Sequence, residues 1–186
     1  MDPDLKKNRR GVILVFTGNG KGKSTAAMGL ALRAAGNRMP VRIVQFIKGS
    51  WKTGERTAFT EWVPGVEIAA EGRGFTIDSL RDPAISDEEH AEAGRNAWAI
   101  ADAAVRGGAY RVVVLDEILG SITAGLVPLD EVLRLMREKP RDVHLVLTGR
   151  NAPPEVVDLA DCVTEMHEVK HHYRGAGIPA QRGIEF

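Results

Sequence analysis

The chain has 186 residues, with 25 basic and 25 acidic side chains, and 44% of its residues are hydrophobic. That is enough apolar material for a buried core, and the balanced charge lacks the basic excess that advertises a nucleic-acid partner. A single cysteine, Cys162, excludes an internal disulfide, and no apolar run reaches the length of a membrane helix. The opening MDPDLKKNRR lacks the apolar core of a signal peptide. A soluble cytoplasmic protein with no membrane partner is the expectation.

Residues 1–10 are charged and aperiodic and read as a mobile arm, while residues 11–186 read as one domain. Val12–Phe16 is a predicted strand, and Ala26–Ala35 a predicted helix ending at Gly36. Val41–Ile47 is a second strand. Residues 48–60 read as loop and short helix, broken by Gly49 and Gly54. Val66–Ala69 is a short strand, and Glu71–Asp82 an irregular segment suited to an active-site loop.

Ser86-Asp87-Glu88-Glu89 is a capping box. The helix it opens carries Ala91, Gly94, Ala97, Trp98, Ala101, Ala104 and Val105 on one stripe and stops at Gly107-Gly108. Arg111–Leu115 is a strand, Pro128 starts a helix, and Val143–Leu147 is a further strand. Pro153 and Pro154 open another helix, and Val163–Val169 is the last predicted strand. Strands alternating with helices predict an α/β fold, a mostly parallel sheet with helices on both faces. Ligands of such sheets bind at the carboxyl ends of the strands. The segments at those ends, 17–24, 45–49, 116–117 and 148–150, are expected to converge on one crevice.

Chemistry concentrates in residues 11–25, GVILVFTGNGKGKST. An apolar strand runs into a glycine-rich turn that delivers Lys23 and Ser24 to a helix start, the layout of a phosphate-binding loop. Gly18, Gly20 and Gly22 let backbone amides approach an anion; Lys23 adds charge, and the Ser24 hydroxyl can ligate magnesium. Thr17 stands where the usual pattern has glycine. Residues 112–117, VVVLDE, end an apolar strand in two carboxylates, and Asp116, Glu117 or both are expected to hold the metal. Arg150, after the strand at 143–147, is placed to clamp phosphate or steady a leaving group, and Lys48 ends the second strand similarly.

His167, His171 and His172 invite a zinc reading, but the alternation around Val169 suggests a strand, which spoils helical ligand spacing. Cys162 reads as packed rather than nucleophilic. Trp51, Trp62 and Phe75 stand in the irregular middle, as core or facing a flat ligand.

Several blocks together resemble the ATP:corrinoid adenosyltransferases of the phosphate-loop class. They are TGNGKGKSTAA at 17–27, VRIVQFIKG at 41–49, GER at 54–56, GRGFT at 72–76, VVLDE at 113–117, LTGRNAP at 147–153, DLADCVTEM at 158–166 and the closing VKHHYRGAGIPAQRGIEF. The resemblance implies a P-loop NTPase-like, RecA-like fold. It implies transfer of the 5′-deoxyadenosyl group of ATP to Co(I) of a reduced corrinoid, cobalamin or a precursor, with release of triphosphate. Mg²⁺ (or Mn²⁺), a flavoprotein electron donor and a homodimer follow from it. So do a triphosphate site spanning Gly18, Asn19, Gly20, Lys21, Gly22, Lys23, Ser24 and Thr25, metal ligands among Ser24, Asp116 and Glu117, and catalytic roles for Lys23, Glu117 and Arg150. Phe75 matches an aromatic that wedges beneath the corrin ring; Ile77 stands where enterobacterial members have a second aromatic. The motifs also fit a recombinase-type ATPase, and a non-catalytic ATP or corrinoid sensor would share them.

Overall fold

The computed structural model describes residues 8–47, 53–74 and 84–185. Lys48, Trp51, Phe75 and Ile77 lie outside them.

Six strands form one sheet: β1 (Ile13–Thr17), β2 (Val41–Gln45), β3 (Val66–Ala70), β4 (Val112–Asp116), β5 (His144–Thr148) and β6 (Cys162–Glu165). Their order is β3-β2-β4-β5-β1-β6, with every pairing parallel. Seven helices are described: α1 (Lys23–Gly36), α2 (Gly54–Glu61), α3 (Asp87–Arg106), α4 (Ile118–Thr123), α5 (Leu129–Glu138), α6 (Pro154–Leu159) and α7 (His172–Ala176).

The near-continuous apolar runs of the inner strands follow from burial on both faces, because successive side chains point to opposite sides of a sheet. Ile13, Val15, Val44, Phe46, Val113, Leu115, Leu145 and Leu147 face one way, into a core shared with α3, α4, α5 and α6. Val41, Ile43, Val112, Val114 and Val146 face the other way, against Ala27, Met28, Ala31 and Ala34 of α1 and Phe59 of α2. The capping box forms as expected: the Glu89 amide donates to Ser86 Oγ at 3.3 Å, and the Ser86 amide donates to Glu89 Oε2 at 2.9 Å.

Three expectations change. Helix α1 begins at Lys23, not Ala26; Lys23 and Ser24 form its first turn, so the loop and helix are one unit. The last strand stops at Glu165 instead of Val169, because the chain there turns to bond the glycine loop. The Met166 amide donates to Thr17 O at 2.9 Å, and the Gly20 amide donates to Met166 O at 2.6 Å. Cys162 is exposed rather than packed, since β6 is an edge strand whose residues are all exposed.

Of the predicted arm, Arg10 pairs with Asp161, which also accepts the Ile13 amide at 2.8 Å. That bond fixes the start of β1. No helix among the described residues is long and apolar enough to cross a membrane.

Candidate functional site

Parallel strands put their carboxyl ends on one side, and the described residues of the four segments singled out in the sequence meet there. The Gln45 side chain donates from Nε2 to Asp116 Oδ2 at 3.1 Å, tying β2 to β4. The Thr148 hydroxyl donates to Asp116 Oδ1 at 2.8 Å, tying β5 to β4. Thr148 Oγ1 also accepts the Glu117 amide at 2.9 Å. Thr17 Oγ1 accepts the Ala152 amide at 3.2 Å, joining the start of the glycine loop to the turn after β5. That bond gives threonine a use at the position where the common pattern has glycine.

A cleft of about 440 Å³ opens here, and Lys21, Gly22, Lys23, Ser24, Thr25 and Glu117 all line it. Helix α1, beginning at Lys23, has Gly22 as its N-cap (φ 118°), with no side-chain cap and no acidic residue in its first turn. Helix α3 differs, with a capping box and Asp87, Glu88 and Glu89 in its first turn. An uncapped N-terminus presents free amides and positive dipole, the requirement for an anion.

Lys23 is 8% exposed and donates from Nζ to Gly20 O at 2.8 Å, folding back on its own loop. Burial pushes its ammonium below the ordinary lysine range; the Glu117 carboxylate opposes that shift and the Arg150 guanidinium adds to it. Lys23, Glu117 and Arg150 therefore share one electrostatic neighbourhood, although Arg150 itself is exposed on the turn after β5.

The two carboxylates after β4 divide. Asp116 is 1% exposed, with its oxygens held by Thr148 and Gln45. Glu117 follows in a left-handed conformation (φ 64°, ψ 23°) that swings it into the cleft. A non-glycine residue there is strained by roughly 1–3 kcal/mol and persists only where its surroundings fix it. The bond from its amide to Thr148 supplies such a constraint. Ser24 and Glu117 thus give one cleft two hard oxygen donors, a chemistry that fits Mg²⁺, which takes few protein ligands and fills its shell with phosphate and water.

The glycines prove to have a second reason. A Cβ on Gly18, at φ +92°, would lie 2.5 Å from Met166 O, and one on Gly20 would lie 2.8 Å from the His167 carbonyl carbon. Both positions are therefore closed to side chains by the exit of β6. Gly18→Ala is expected to lower stability by about 1–3 kcal/mol, about 2–12 °C in Tm for a chain of this size. Thermal unfolding followed by circular dichroism reads this directly, and an unchanged Tm would refute the packing argument.

Asn19 is exposed at the loop's tip. Phe75 lies outside the described residues. Sequence reasoning missed two further walls of the cleft: Gly54 and Glu55 at the start of α2, and Gly183, Ile184 and Glu185 of the C-terminal tail. It also passed over Gln45 and Thr148 as side chains. Their signal was available, since each is a polar residue at the end of an apolar strand.

Comparison with known proteins identifies the family. A family model described as ATP:corrinoid adenosyltransferase BtuR/CobO/CobP matches residues 9–186. A corrinoid adenosyltransferase of Pseudomonas aeruginosa is 43% identical over 183 residues, 97% of this chain and 86% of that protein. One from Escherichia coli K12 is 39% identical over 180 residues, 97% of this chain and 88% of its own length. The corrinoid adenosyltransferase CobA of Salmonella typhimurium is 38% identical with the same coverage. The family model spans nearly the whole chain and these relatives match it at about 40% identity, and the chain belongs to the ATP:corrinoid adenosyltransferase family.

Proposed function

We propose that this chain transfers the 5′-deoxyadenosyl group of ATP to the Co(I) centre of a reduced corrinoid, releasing triphosphate. The observation that carries the reading is the cleft itself. An uncapped helix start, Lys21, Lys23 and Ser24 face Glu117 across one opening, in a chain matched along almost its whole length. No side-chain nucleophile is required. The electron pair of Co(I) forms the bond to C5′, the C5′–O bond breaks, and that pair leaves on the triphosphate.

The protein's work is then positioning and charge stabilisation. The amides of Gly18–Ser24 grip the triphosphate, and Asn19 reaches the nucleotide from the loop's tip. Lys23 exchanges Gly20 O for a phosphate oxygen, and Thr25 closes the first turn beneath it. Arg150 approaches from the β5 turn to steady the leaving group. Ser24 and Glu117 hold Mg²⁺ (or Mn²⁺), with Asp116 behind them orienting the strand end. The ion, when bound, neutralises charge on the triphosphate. By resemblance alone, Phe75 matches the aromatic that meets the lower face of the corrin in the family, and Ile77 stands at the position of its second aromatic.

The same reading makes residues 11–186 one domain and the assembly a homodimer, with a flavoprotein supplying the electron that brings the corrinoid to Co(I). It places the protein in the cytoplasm, where the exposed thiol of Cys162 stays reduced. The testing experiment is anaerobic. The chain is mixed with ATP, magnesium and chemically reduced cobalamin, and the optical spectrum is followed. A photolabile adenosylated corrinoid is the expected product. A Co(I) spectrum unaltered by enzyme and ATP would refute the proposal.

A further inference from the structure

The C-terminal wall of the cleft is built around one carboxylate. Residues 181–185 form a compact turn in which the Ile184 and Glu185 amides donate to Gln181 O at 3.1 and 2.9 Å. The Gln181 amide donates back to Glu185 Oε2 at 2.7 Å. The other oxygen, Oε1, faces two bases: Lys21 Nζ at 3.1 Å and His172 Nε2 at 3.6 Å. The Gln181 amide first, and then Lys21, hold the Glu185 carboxyl below the ordinary carboxylate range.

The two loop lysines are therefore in different states. Lys23 points inward onto a loop carbonyl, whereas Lys21 is paired with a tail carboxylate that itself lines the cleft. A triphosphate entering that cleft competes with Glu185 for Lys21 and meets its negative charge. We propose that Glu185 is an internal competitor for Lys21: it takes the lysine in the empty site, yields it to a triphosphate, and recovers it as the product leaves. The proposal rests on the reading of this cleft as a triphosphate site. Its value to the reaction lies in release. Breaking the C5′–O bond adds an anionic oxygen to the leaving triphosphate, so the product carries more charge than the same group in ATP. A carboxylate competing for one of the cations lowers the hold on that product.

The test is calorimetric binding of inorganic tripolyphosphate with magnesium to the full chain, as wild type, Glu185→Gln, Lys21→Met and the double variant. Glutamine keeps the acceptor for the Gln181 amide but removes the charge. Glu185→Gln is expected to bind tripolyphosphate about three- to fivefold more tightly, the size of a partly exposed ion pair. The gain should fall below about 1.5-fold in the Lys21→Met background, since two groups acting through each other are non-additive. Unchanged or weaker binding by Glu185→Gln would overturn the proposal, as would an equal gain in both backgrounds. A wild type that binds no tripolyphosphate would overturn the triphosphate reading as well. A wild type that binds it, matched by Glu185→Gln, overturns the competitor role alone.

Discussion

Replacing Lys23 by methionine is expected to cut ATP-dependent adenosylation by about 10²–10³-fold, the cost of losing one preorganised contact to developing charge. It should do so without unfolding the protein. Lys23 is 8% exposed and its ammonium is disfavoured chiefly by burial. In the ligand-free chain its positive end is met by Gly20 O at 2.8 Å. An unbranched apolar side chain of similar length removes a buried charge and leaves the packing in place. The expected signature is thus a divided one: activity nearly lost, Tm unchanged or raised. Parallel loss of both would mean that Lys23 holds the loop together and does not serve the ligand.

The second large effect is expected at a residue that touches no substrate in this account. Thr148 is fully buried, donates to Asp116 and accepts the Glu117 amide. Thr148→Val preserves shape but leaves the buried Asp116 carboxylate and the part-buried Glu117 amide without that partner. Each costs about 1–3 kcal/mol, so a Tm fall of roughly 4–24 °C is expected. The Glu117 turn also loses the bond that holds it in the left-handed region, so the activity remaining below the new Tm should be low. Its deficit should lie in kcat more than in KM for ATP, because the glycine loop is untouched. Thr148→Ser keeps the hydroxyl and should restore kcat to within a few-fold. A serine variant as slow as the valine one would show that the methyl group's packing, and not the hydrogen bonds, is what matters.

The sequence announced some parts of this arrangement and concealed others for physical reasons. Inner strands were readable because burial on both faces forces continuous apolar runs, as in Val112–Leu115. The capping box at Ser86 was readable because both its bonds are local. Apolar periodicity alone opened α1 at Ala26, three residues late, because Lys23 and Ser24 are polar; only the loop motif placed those two at the helix start. Val169 misled for the opposite reason: at 96% exposure it is apolar without being buried. The glycine loop was recognised, but half its logic is non-local. The steric demand on Gly18 and Gly20 comes from Met166 and His167, which only the β1–β6 pairing brings near.

The division of labour between Asp116 and Glu117 was equally hidden. Adjacent carboxylates look alike in sequence, and they separate only when Gln45 and Thr148 arrive from neighbouring strands to occupy the first. The tail carboxylate at Glu185 had no local signal, since its partner Lys21 stands at the far end of the chain.

The central claim is that this cleft holds a triphosphate that leaves intact while its ribose carbon is taken by cobalt. Phosphorus-31 spectroscopy of a completed anaerobic turnover, with magnesium, ATP and chemically reduced corrinoid, tests it most directly. The expected result is one inorganic triphosphate for every cobalt–carbon bond formed. Orthophosphate and ADP appearing in its place, with the corrinoid left unadenosylated, would contradict the account and return the chain to the ordinary phosphate-loop hydrolases.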